Sequence, residues 1–163
     1  MPSCFLFYPK HQQMEALVQA CEINISYNPR ATNDKPVITN ANTASIALQP
    51  WFPLDTIAAY EQAVVMFLNN GNQVIGAYRL SSGGICQTVM DIRILFAVAL
   101  KSLAVGIILA HNHPSGSLKP SKQDLELTRR VKETGELMAI KLIDHIILTP
   151  DNGYLSLKDE GVI

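Results

Sequence analysis

The chain has 163 residues, 48% of them hydrophobic, which is enough for one domain with a real core. Thirteen basic and fourteen acidic side chains leave a net charge of -1, so no global field draws in nucleic acid or an anionic membrane. Cys4, Cys21 and Cys86 are odd in number, widely spaced and outside any Cys-x-x-Cys. They read as free thiols of a reducing compartment, and with no signal-like start and no apolar run of membrane-spanning length the expected location is the cytoplasm.

Residues 1–37 form an N-terminal segment, with a short helix expected over 14–21 and a half-exposed strand over 22–27 that ends at Asn28-Pro29-Arg30. His11 has no ligand-spaced neighbour. A polar connector then leads to a helix over 42–48, followed by Pro50 and by Trp51-Phe52, an aromatic anchor for packing. The apolar run 63–68 is a buried strand, and Asn69-Asn70-Gly71-Asn72 turns it into a second strand over 73–80. Glu61 stands at the entrance of the first strand, where an acid is usually a solvated end. The glycines of Ser81-Ser82-Gly83-Gly84 permit unusual backbone angles, either near a ligand or merely in a turn. Asp91 caps a helix over 92–102 that is apolar all round apart from Arg93 and Lys101, so it is expected to be largely buried.

The apolar run 103–110 suits a strand buried on both faces, and it leads into His111-Asn112-His113-Pro114-Ser115-Gly116. A period of two puts His111 and His113 on one side, and Pro114 keeps His113 extended. Gly116 and Pro120 mark a loop, after which Ser121 and Asp124 open a helix running to 138. Asp124 has two readings. Ser121-x-x-Asp124 is a capping box, with the acid returned to the Ser121 amide. Alternatively the loop carries Asp124 back over the histidines, and two imidazoles with one carboxylate make the ligand set of a zinc ion that keeps a position for water. Two polar rings at a buried strand end favour the metal, since unpartnered they cost free energy. The two roles are expected to exclude each other, because one points the carboxylate at an amide and the other at the histidines.

The helix 122–138 shows an apolar stripe at Leu127, Val131 and Met138, an expected Glu126 to Arg130 pair, and a solvated charge run of Arg129, Arg130 and Lys132. Residues 140–148 form a further strand, in which Asp144 and His145 face opposite ways. His145 reads as a hydrogen-bonded structural histidine with a supporting role at the metal left open. Asp151-Asn152-Gly153 turns the chain into a closing strand over 154–157. Strands and helices without regular alternation argue for an α/β (α+β) sandwich, a curved mixed β-sheet flanked by helices.

His-x-His, seven residues, Ser, two residues, Asp resembles the JAMM (MPN-plus) metalloprotease signature, and His-Asn-His-Pro-Ser-Gly with Ile143-Asp144-His145 resembles its RadC branch. The likeness runs from about Ile38 to the C-terminus, through Phe67-Leu68, Ser81-Ser82-Gly83-Gly84 and Gly153-Tyr154. Residues 1–37 lack the glycine-bracketed helix-hairpin-helix that RadC proteins typically carry. The resemblance implies a JAB/MPN-like, cytidine-deaminase-like three-layer sandwich over 38–163 and zinc-dependent cleavage of peptide or isopeptide bonds. It makes Glu61, otherwise a solvated end, the general base, because the family's catalytic glutamate precedes its first core strand at this offset. His111, His113 and Asp124 then hold zinc, and Ser121, placed close by the loop, stabilises the oxyanion. The expected partner is a peptide or protein substrate. A DNA-processing factor is the rival suggested by the RadC name and opposed by the charge, and a non-catalytic scaffold would have no need of Glu61. His-Asn-His here is not the HNH nuclease motif, whose residues are dispersed.

Overall fold

The computed structural model describes residues 35–83 and 90–163. The helix and strand expected at 14–21 and 22–27, His11, the three cysteines and Gly84 lie outside the described residues. Helix α1 (Ala41–Leu48) runs into a 3-10 turn (Gln49–Trp51), then come β1 (Gln62–Leu68), β2 (Val74–Ser82), α2 (Ile92–Lys101), β3 (Gly106–Asn112), α3 (Lys122–Leu137), β4 (Lys141–Leu148) and β5 (Tyr154–Ser156). The strands form one sheet in the order β2-β1-β3-β4-β5. β1 pairs antiparallel with β2 and β3, β3 pairs parallel with β4, and β5 closes antiparallel on β4. This is the mixed α+β sheet expected from the sequence.

β1 and β3 are buried along their full lengths, as strands covered on both faces must be. Period-two alternation divides them between two cores. Val64, Met66 and Leu68 of β1 with Ile108 and Ala110 of β3 pack against Leu48 of α1 and Phe52. Val65 and Phe67 with Ile107 and Leu109 pack on the opposite face against Leu95, Phe96 and Ala99 of α2 and Val131 of α3. Helices therefore cover both sides of the sheet. Phe52 is the anchor expected of the Trp51-Phe52 pair, while Trp51 is only half-buried.

Several local expectations are corrected. Strand β3 begins at Gly106, because Leu103 takes a left-handed φ of 55° and lies exposed in the turn after α2. Helix α2 buries one stripe only, leaving Ile94 and Leu100 exposed, since the sheet covers it from one side. In α3 the buried positions are Thr128, Val131 and Gly135, with Leu127 half-buried, while Met138 lies past the last turn and is exposed. The sequence favoured large apolar residues, but the closest approach of α3 to the sheet uses the small ones. Arg130 is not the partner of Glu126: Arg129 bonds both Glu126 and Glu133, one turn away on either side.

Gly135 marks that approach. Its carbonyl accepts from the Ile140 amide at 2.8 Å, and a Cβ there would run into the Ile140 carbonyl oxygen. Alanine's better helix propensity opposes this crowding without matching it, so Gly135→Ala is expected to destabilise the fold by about 1–2 kcal/mol. Urea unfolding measures it, and wild-type stability would show that the corner between α3 and β4 relaxes without cost.

Candidate metal centre

β3 sits between β1 and β4, and its end delivers the polar groups. His111 shares the face of Ile107 and Leu109. The His113 amide continues the pairing by donating to the Leu148 carbonyl at 2.9 Å, which carries the extended chain to the second histidine. The two Nε2 atoms lie 3.0 Å apart. Asp124, in the first turn of α3, places Oδ1 3.2 Å from His111 Nε2 and Oδ2 3.5 Å from His113 Nε2. Among the described residues, His111, His113 and Asp124 form a group able to hold a metal ion.

Asp124 also completes the capping box. Its Oδ2 accepts from the Ser121 amide at 2.7 Å, and its own amide donates to Ser121 Oγ at 3.1 Å. The expected exclusion between cap and cluster is thus corrected. A carboxylate has two oxygens and several lone pairs, so it can close the helix end and face the histidines at once. Burial opposes the Asp124 charge, but the His111 and His113 imidazoles and Ser121 outweigh it and hold the carboxyl far below its usual range. Asp124 in turn raises the affinity of His113 for a proton, against partial burial.

The donor set fits a cation. His113 Nδ1 faces the Ser117 carbonyl at 2.7 Å, and because a carbonyl only accepts, the proton of the neutral ring is on Nδ1 and Nε2 is bare. Ligand atoms on a tetrahedral ion with bonds of about 2.1 Å are about 3.4 Å apart, close to the spacings of 3.0, 3.2 and 3.5 Å seen here. The cluster lines a pocket of about 390 Å³ together with Glu61, Ser121, Lys119 and Met90. Glu61 and Ser121, the two remaining site residues read from the sequence, therefore border the same space. Gly83 takes a φ of 107° and gives its amide to the Glu61 carbonyl at 3.2 Å, so the unusual angle serves the backbone that holds Glu61.

Sequence reasoning passed over Asn112. Between the histidines it faces the other side of the sheet and is fully buried. Its Oδ1 accepts from the Gln62 amide at 2.7 Å, and its Nδ2 donates to the Ile57 and Tyr60 carbonyls at 2.6 and 3.0 Å. The amide thereby pins the segment that ends in Glu61. The available signal was an amide at a buried strand position, which must find partners. Behind the cluster, His145 Nε2 lies 2.9 Å from His111 Nδ1 and His145 Nδ1 lies 2.6 Å from Thr128 Oγ1. Complete burial pushes His145 protonation well below the ordinary imidazole range. Asp144, on the opposite side of β4, accepts from Ser156 at 2.6 Å, and burial raises its carboxyl above the usual value.

Sheet and cluster together define a mixed α+β domain with a candidate metal centre at the end of its central strand. The chain belongs to the RadC-like JAB domain family, whose model matches residues 38–162. It is 42% identical over 125 residues to a UPF0758 protein of Flavobacterium johnsoniae, a match covering 77% of this chain and 53% of that one. A UPF0758 protein of Porphyromonas gingivalis is 39% identical over 126 residues, covering 77% and 54%, and one of Clostridium botulinum is 44% identical over 99 residues, covering 61% and 43%. The chain spans about half the length of the curated relatives it matches.

The double role of Asp124 is separable by substitution. In metal-free protein Asp124→Ala removes the carboxylate from the Ser121 amide and from both histidines, and is expected to cost about 1 kcal/mol or more, a hydrogen-bond contribution with the histidine contacts added. Asp124→Asn loses the charge beside the histidines as well but keeps an acceptor for the Ser121 amide, and is expected to cost less. Thermal unfolding in chelator compares them, and equal losses would mean that the box contributes nothing.

Proposed function

We propose that this domain is a zinc-dependent hydrolase of JAMM type that cleaves peptide or isopeptide bonds. The observation that carries the reading is the convergence of His111, His113 and Asp124 on one pocket that Glu61 also lines. The JAB superfamily includes metalloproteases, and two imidazoles with one carboxylate are a usual catalytic zinc set.

His111 Nε2, His113 Nε2 and Asp124 would hold the ion, and the Ser117 and Ser121 contacts keep His113 and Asp124 turned inward. Bound zinc supplies Lewis acidity, which makes water easier to deprotonate and a carbonyl easier to attack. The Glu61 carboxylate takes the proton of the attacking water and delivers it to the departing amine, so one water is consumed and one C–N bond is broken. Ser121 Oγ already accepts from the Asp124 amide, and its own hydrogen is directed to the oxyanion that develops on the carbonyl. Asn112 keeps Glu61 at the pocket through the Gln62 amide. The substrate is a peptide or protein, and the setting is the reducing cytoplasm expected from the cysteines. Among the described residues, no helix is long and apolar enough to cross a membrane.

Protein purified without added metal is expected to contain one zinc per chain by elemental analysis, lost when His111 and His113 are both replaced by alanine. Retention of full metal content in that variant would move the site elsewhere. Glu61→Gln is expected to keep the zinc and lower turnover by about 100-fold or more, as removal of a general base does. Unchanged cleavage of a peptide that the wild type hydrolyses would dismiss Glu61 as the base.

A further inference from the structure

We propose that His145 and Thr128 are positioning residues that fix His111 in one tautomer, with its proton on Nδ1 and Nε2 bare toward His113 and Asp124. The inference rests on the reading of the cluster as a metal centre and adds the device that makes His111 fit to be a ligand.

The direction of the chain follows from its far end. Thr128 Oγ1 lies 2.6 Å from the Asp124 main-chain carbonyl and 2.6 Å from His145 Nδ1. A hydroxyl has one hydrogen. If it went to His145, the hydroxyl and carbonyl oxygens would face each other at 2.6 Å as two acceptors with no proton between them. Placed on the carbonyl, it leaves Thr128 Oγ1 to accept from His145 Nδ1–H. The neutral His145 ring then presents a bare Nε2, 2.9 Å from His111 Nδ1, so His111 donates there. His111 Nε2 is left without a proton.

Burial makes this arrangement binding. Thr128 and His145 are 0% exposed and His111 is 2% exposed, so water cannot replace a lost partner at His111 Nδ1, His145 Nε2 or His145 Nδ1, and losing one of these contacts costs the full desolvation of the group left behind. The reverse direction would put a proton on His111 Nε2, where a cation must sit. The relay ends on the main chain of Asp124, whose carboxylate returns to within 3.2 Å of His111 Nε2. Position of the helix and tautomer of the strand histidine are thus coupled in one ring of contacts. It also accounts for a buried histidine and threonine where β4 and α3 otherwise carry Ile146 and Val131.

The test uses nitrogen NMR of metal-free protein, with zinc affinity from a competing chelator as a second readout. In the wild type, His111 is expected to show a protonated Nδ1 and an unprotonated Nε2. Thr128→Val keeps the shape but removes the acceptor, and His145→Phe removes both contacts. Each is expected to shift His111 toward the Nε2–H form and to weaken zinc binding by about 10- to 100-fold, the usual effect of a partner behind a ligand. Thr128→Ser restores both readouts, which a purely structural role for the side chain does not predict. An Nε2–H tautomer in the wild type, or variants that keep the wild-type tautomer and zinc affinity, would overturn the proposal. Absence of zinc binding in the wild type would contradict the metal reading instead, and the tautomer measurement on Thr128→Val would still decide the relay.

Discussion

A strand buried on both faces that ends in three polar side chains is the constraint on which the rest depends. His111 and Asn112 are buried where β3 leaves the core, out of reach of water, and His113 follows them at the wall of the pocket. Each has been given partners from a different part of the chain. Asn112 takes the backbone before β1, His111 takes β4 through His145, and His113 takes the loop through Ser117. Among the described residues no buried side-chain nitrogen or oxygen lacks a hydrogen-bond partner. The demand for satisfaction therefore organises the site before any ligand is considered: it fixes the entrance of β1, the face of β4 and the course of the loop.

Helix α3 is tied into the same scheme at its first turn. Its capping box and its approach to the histidines share one carboxylate, and its buried face carries Thr128 to His145. Gly135 lets its other end close on β4. Beside the apolar packing of Val131 and Leu127, these small and polar contacts fix the helix against β4 and the histidines.

The parts legible in the sequence were those with a short period. Alternation put His111 and His113 on one side, the Asn-rich turn set the hairpin, and Ser121 announced the start of α3. What failed needed knowledge of which face meets which neighbour. Leu103 and Met138 look like core residues but lie in turns beyond the sheet. Thr128 and Gly135 look like solvent positions and are buried. Asn112 gives no periodic signal, because its partners are 50 to 55 residues away. Treating cap and ligand as rivals counted the carboxylate as one acceptor, when its geometry offers two.

The central claim is that these three side chains form the inner surroundings of a zinc ion. Zinc-edge X-ray absorption on protein carrying one equivalent of the metal tests it most directly, because it reads the atoms bonded to the ion and not the consequences of binding. The account predicts nitrogen and oxygen neighbours alone, at about 2.0–2.1 Å, with the outer-ring signature of two imidazoles. A sulfur neighbour at about 2.3 Å, or a spectrum with fewer than two imidazoles, would contradict it.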